Sequence, residues 1–246
     1  MPFRKLLLLA LSFVCLQLLC ADVRAQAGDR AQAAAEIESL REQIKLREAA
    51  LLAVTDEDRK AHAEFLAQPD TGLVRLLPRE KWDSKLSTRG DGAYYSFARL
   101  THEYGYGSDI QLSRDQLSVG FAGADFGFMV SLGDVPIENV SDETEAVQFM
   151  ASFKTPEAEP EARKAHRQFA DHEGHPAGRW TYRSRLPAVA GHTYALRSIG
   201  YATSDTLVAF HVVRKDEDGS VVLLWKMLKK YPKPTLRQAT AVAAGQ

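Results

Sequence analysis

The chain has 246 residues, with 31 basic and 32 acidic side chains and a formal net charge of −1. So even a balance excludes the broad basic surface that nucleic acid or an anionic membrane selects. The length is that of one large domain or of a domain with an appendage.

Arg4 and Lys5 precede an almost wholly apolar run, Leu6 to Leu19. Val23-Arg24-Ala25 and Ala25-Gln26-Ala27 then meet the small-x-small rule of signal peptidase, which predicts an export signal over residues 1–25. The run is shorter than the ~20 residues that span a bilayer, so no transmembrane span is expected after cleavage. Both cysteines, Cys15 and Cys20, fall inside the signal, and the mature chain is expected to be cysteine-free. Cys20 as a lipid anchor is the alternative, but Leu19 stands where that signal requires a small residue. Removing residues 1–25 takes away Arg4, Lys5, Arg24 and Asp22, leaving 28 basic against 31 acidic residues, a charge of −3. The expected location is periplasmic or extracellular.

Residues 26–71 read as a helical arm or short coiled coil. Ala, Glu, Arg, Gln and Leu dominate Ala31 to Leu52, and Ile37, Leu40, Ile44 and Leu51 fall near a heptad seam. Thr55 with Asp58 reads as a helix start, and DEDRKAHAEFLAQ continues helically to Pro69. The arm either packs on its own domain or joins copies into a homo-oligomer through residues 31–67.

From Gly72 the period changes to two. Leu73–Leu77 and Tyr94–Thr101 are strand candidates, and Ile110, Leu112, Leu117, Val119, Phe121, Phe126, Phe128, Val130 and Leu132 fall at every second position of their runs, between turn signals. The polar stretch 154–178 is expected as a partly helical insertion, with a helix from near Pro160 to Gly174. Trp180–Leu186 and His192–Tyr201 are further strands. Leu207–Leu228 is a hairpin around Asp218-Gly219, and its second apolar run is expected in a central strand. The fold class is mainly β: an antiparallel β-sandwich or barrel-like domain over residues 72–236, with an N-terminal helical arm and a disordered tail, 237–246.

LPREKWD, GAYYSF, THEYGYGSDI, SVGFAGADFGFMVSLGDVP, GHTYALRSI and LVAFHVVRKDEDGSVVLLWKML together are similar to segments of exported bacterial proteins of unknown function. The resemblance spans roughly Leu76 to Leu228, omits the arm and implies no activity or site residue.

The chain has no Gly-x-Ser-x-Gly elbow, phosphate-binding loop or His-Glu-x-x-His. No cofactor is expected. Asp171, His172 and His175 are candidate metal ligands, although Gly174 separates the two imidazoles. Asp216, Glu217 and Asp218 resemble the start of a calcium loop without its later ligands and read as a hairpin tip. Arg89-Gly90-Asp91 reads as a solvated loop. The densest constellation is THEYGYGSDI, Thr101 to Ile110. Five of the thirteen residues from Tyr94 to Tyr106 are aromatic, so this region alone concentrates rings beside acids. Tyr104, Tyr106 and Asp109 are candidate ligand-binding residues, since a ring stacks on the C–H face of a sugar while acids accept its hydroxyl protons. Glu103 and Asp109, with His102 nearby, are the catalytic candidates for glycoside chemistry. The structural alternative is a bend in which the tyrosines wedge the sheets and the glycines turn the chain. The leading expectation is an exported, non-catalytic protein that binds carbohydrate or another envelope component. A glycan-directed hydrolase and an assembly protein joined through its arm are the alternatives.

Overall fold

A computed structural model describes residues 29–105, 107–121 and 123–237. The expected export signal with Cys15 and Cys20, the candidate Tyr106 and nearly all of the expected tail lie outside the described residues. The chain divides into two compact units after Arg47. Helix α1 covers residues 29–52. In the first unit, Ile37, Leu40 and Ile44 leave a stripe about half exposed, at 50, 51 and 48%. Glu38–Arg41 and Glu42–Lys45 form exposed ion pairs three residues apart. No helix among the described residues is long and apolar enough to cross a membrane.

Residues 48–71, read from the sequence as part of the arm, belong to the second unit. Thr55 and Asp58 form the expected capping box at the start of α2 (Asp56–Ala61). The helix does not run on to Pro69. His62, with φ −113°, breaks it, and α3 (Ala63–Leu66) places Phe65 in the core.

The second unit is built of antiparallel sheets, with strands numbered along the chain. The larger sheet has the order β1 (Thr71–Leu76), β11 (Val221–Tyr231), β10 (Ser204–Lys215), β9 (Thr193–Gly200), β5 (Phe126–Gly133). The smaller has the order β2 (Tyr94–Tyr95), β3 (Ile110–Ser113), β4 (Gln116–Ser118), β8 (Arg185–Pro187). β6 (His175–Ala177) and β7 (Trp180–Tyr182) make a two-stranded ribbon. No barrel closes, because β1 and β5 are opposite edges of the larger sheet. As its unbroken apolar run implies, Val221–Trp225 lies between β1 and β10 and is buried throughout.

The period of two divides the core. Phe126, Phe128, Ile199 and Leu224 point to one face of the larger sheet, where α5 (Glu145–Ser152) and α6 (Glu159–Ala170) cover it. Met129, Leu196, Phe210 and Leu223 point to the other and pack on Leu112, Leu117 and Leu186 of the smaller sheet. Further details depart from the sequence reading. The expected strand Tyr94–Thr101 stops at Tyr95, and the chain turns so that Ser96 bridges Thr101. Helix α6 ends at Ala170 rather than Gly174, with Asp171 as its C-cap. Helix α5 has no counterpart in the sequence reading.

The helix-covered face holds a charged pair among its apolar residues. Arg197 and Asp205 are 1% and 3% exposed and meet through two contacts, of 2.5 and 3.0 Å. Arg197 also donates to the Met150 carbonyl of α5 (2.8 Å), and its guanidinium lies 3.4 Å from the centre of the Tyr231 ring. Thr155 Oγ1 donates to Asp205 (3.0 Å). Removing one partner of such a pair strands the other charge in the core. Asp205→Asn is therefore expected to cost about 3–5 kcal/mol in urea denaturation. The double variant Arg197→Met/Asp205→Leu should recover much of that loss. A double variant as unstable as the single would show that the pair's charge is not what matters.

Candidate functional site

Loops with few sheet partners assemble the candidate site, and buried carboxylates shape them by supplying acceptors for backbone amides. The Asp91 carboxylate accepts from the amides of Ser84, Lys85 and Leu86 at 3.0, 2.9 and 2.8 Å. Arg89-Gly90-Asp91 is thus not a solvated tripeptide, since Asp91 is 7% exposed and occupied by its own loop. Glu48 accepts from the amide and hydroxyl of Ser87 (2.5 and 2.6 Å) and of Thr88 (both 3.1 Å). Burial works to raise its pKa, but these bonds outweigh it and hold the carboxyl below its usual range. The loop so fixed delivers Gly90, at φ +86°, against Tyr94 and Tyr104. A Cβ there would lie 2.6 Å from Tyr104 Cβ, so only glycine fits.

The candidate residues of Thr101–Ile110 do not form one cluster. Tyr104 packs on Tyr94 with the rings tilted by 41° and their centres 4.4 Å apart, and Arg89 lies over its ring at 5.6 Å. Glu103 is exposed and accepts from the Arg89 amide (3.2 Å). His102 Nε2 lies 2.8 Å from the Arg75 carbonyl, which can only accept, so Nε2 carries the proton. Burial lowers the His102 pKa, partly opposed by that bond, and so favours the neutral ring. Asp109 is 0% exposed, and its Oδ2 accepts from the Phe97 amide at 2.7 Å, with Ser96 Oγ and the Ala98 amide farther off at 3.3 and 3.4 Å. It is this capped turn that ends the strand at Tyr95. Glu103 and Asp109 therefore do not flank a common cleft as a glycosidase pair would.

The Asp109 pKa is raised. Burial is the leading cause and exceeds the opposing effects of the Ser198 hydroxyl and the Phe97 and Ala98 amides. Ser198 faces the carboxyl without making a hydrogen bond of normal geometry, and Oδ1 is left without a partner.

The other candidates are dispersed. Asp171 accepts from the Glu173 amide (2.9 Å), while His175 stacks on Phe149 at 5.5 Å. No group of three metal-capable side chains occurs among the described residues. Asp216 and Asp218 serve the hairpin tip. Asp216 pairs with Arg75 (2.8 Å) and Arg214 (2.6 Å), and Asp218 accepts from Ser220.

The geometry does gather a cavity of about 170 Å³ at the Tyr104 loop. Tyr104 and Phe121 give it aromatic walls, Arg89 and Asp125 its charges, and Ser108, Ser198 and Ser204 its hydroxyls. Asp125 accepts from the Tyr201 amide (2.8 Å), and burial raises its pKa against that bond. The Ser204 Oγ has no hydrogen-bond partner. Of these residues the sequence reading named only Tyr104 as a site candidate. Ser198 and Ser204 come from β9 and β10, more than ninety positions along the chain from Tyr104, and no local motif links them. Comparisons with family models, with curated proteins and with solved structures return no match.

A group whose pKa is raised by folding contributes stability that is full below its unfolded value and is lost as pH rises through the folded value. Asp109→Asn keeps an acceptor for the Phe97 amide and removes the charge. Its melting temperature is expected to exceed the parent's at pH 8 by about 2–4 °C for each kcal/mol relieved, with the gap closing toward pH 4. A variant less stable than the parent at pH 8 would show that the fold favours the ionised carboxylate.

Proposed function

We propose that this is an exported, non-catalytic bacterial binding protein, akin to the exported proteins its strand segments resemble. In this reading its two main sheets form a sandwich, and the cavity beside Tyr104 takes one ring of a saccharide of the cell envelope. The observation that carries the reading is the cavity lining. Two aromatic rings offer flat apolar faces to sugar C–H groups, while three serines, Arg89 and Asp125 offer donors and acceptors to hydroxyls. The volume suits one ring, since an apolar cavity of about 150 Å³ admits benzene. A hydrolase acting through Glu103 and Asp109 finds no support, because Asp109 is inaccessible and its Oδ2 is occupied by backbone amides.

Titration calorimetry and amide chemical shifts against a panel of neutral and acidic mono- and disaccharides test the reading. Tyr104→Ala should weaken the best binder by about 1–3 kcal/mol. The half-buried ring should cost less than that in unfolding free energy. If no sugar in the panel moves the cavity resonances, the saccharide reading falls.

Assembly through the arm is a second reading, favoured by the exposed Ile37, Leu40 and Ile44 stripe at heptad spacing. Leu40→Glu in the full chain should reduce the sedimenting mass if a second copy covers that stripe. An unchanged mass would remove this reading.

A further inference from the structure

The outward face of the smaller sheet carries a polar row that the saccharide cavity does not account for. The register places Tyr94 opposite Gln111, Gln111 opposite Ser118, and Ser118 opposite Arg185. Residues directly opposite across antiparallel strands share a face, so these four form one line across β2, β3, β4 and β8. Their chain neighbours Leu112, Leu117 and Leu186 point the other way, into the core. Ser118 Oγ donates to Gln111 Oε1 (3.3 Å) within the row.

A groove of about 500 Å³ takes in Gln111, Ser118 and Arg185 of this line, together with His166, His172 and Arg183. Arg183 and Arg185 both line it, and no carboxylate pairs with either among the described residues. Arg183 makes one long contact to the Glu173 carbonyl (3.3 Å), and its buried Nε–H has no acceptor. Asp171 is the single carboxylate of the lining among the described residues. Two guanidinium groups against one carboxylate leave the groove cationic. Their planar forks match a carboxylate or phosphate two bonds at a time. The groove also meets the saccharide cavity: Gly120 and Phe121 line both.

We propose that this groove holds an anionic group, carboxylate or phosphate, of the ligand whose ring enters the cavity, so that the ligand is an acidic saccharide. The anion site stands on the arginines alone. The word saccharide rests on the cavity reading.

The test uses the whole protein and four probes: inorganic phosphate, a neutral disaccharide, its uronic acid counterpart and a hexose phosphate. The uronate or the hexose phosphate should bind about tenfold more tightly than the neutral sugar at low salt. That advantage should shrink at high salt and vanish in Arg185→Gln. Arg185 is exposed, so the variant should fold, and its melting curve checks this. The tighter of the two charged sugars identifies the anionic group. Equal affinity for neutral and charged sugars, unchanged by Arg185→Gln, overturns the anion site and leaves the cavity reading standing. Phosphate binding that depends on Arg185, with no sugar bound, upholds the anion site and overturns the saccharide. Absence of any Arg185-dependent binding overturns the inference outright.

Discussion

The arrangement of the β unit depends on a charge buried where apolar side chains would ordinarily lie. Arg197 and Asp205 face each other diagonally across β9 and β10, since Arg197 is opposite Leu207 and Asp205 is opposite Ile199. Taking two ions out of water is unfavourable, and their attraction offsets that only when every remaining donor and acceptor is met. Here the partners come from four places: the last turn of α5 through the Met150 carbonyl, the chain after it through Thr155, the ring of Tyr231 at the end of β11, and the pair itself. Tyr231 in turn donates to the Ala151 carbonyl (3.0 Å). An apolar contact would survive a slip of register or a rotation of α5, whereas this set is satisfied in one arrangement. It also fixes the strand that brings Ser198, Ile199 and Gly200 to the cavity.

Carboxylates do a second kind of work in the loops. Glu48, Asp91 and Asp109 each turn toward backbone amides that lack a sheet partner, and buried amides need acceptors. Nothing in a sequence distinguishes a carboxylate aimed at a substrate from one aimed at its own loop. The acidic residues of Thr101–Ile110 looked chemically promising for the same reason that they are structurally necessary, because glycine-rich turns leave amides to be satisfied.

What the sequence made legible follows from how local each signal is. The hairpin at Asp218-Gly219, the central strand Val221–Trp225, the capping box of Thr55 and Asp58 and the helix beginning near Pro160 are each written in a few consecutive residues, and each is present. The strand expected over Tyr94–Thr101 failed because a distant carboxylate, Asp109, captured its amides. Helix α5 is eight residues long and held by tertiary packing of Ala146, Val147 and Met150, too short for its period to declare itself. The site was legible in one residue, Tyr104. Its other walls were not, because Arg89, Phe121 and Asp125 come from loops without a site motif, and Ser198 and Ser204 arrive from β9 and β10 through long-range pairing.

The Phe121 ring is a wall common to two hollows. Hollows that share a wall are not independent. A molecule seated in one holds its neighbouring unit within reach of the other, so the second contact forms at an effective concentration fixed by the protein rather than by the solution. Affinity at such a surface grows with the length of the ligand, and short fragments that fill either hollow alone under-report it. In the proposed reading the surface would thereby measure a polymer's extension and discriminate against its free building blocks, even with each individual contact weak.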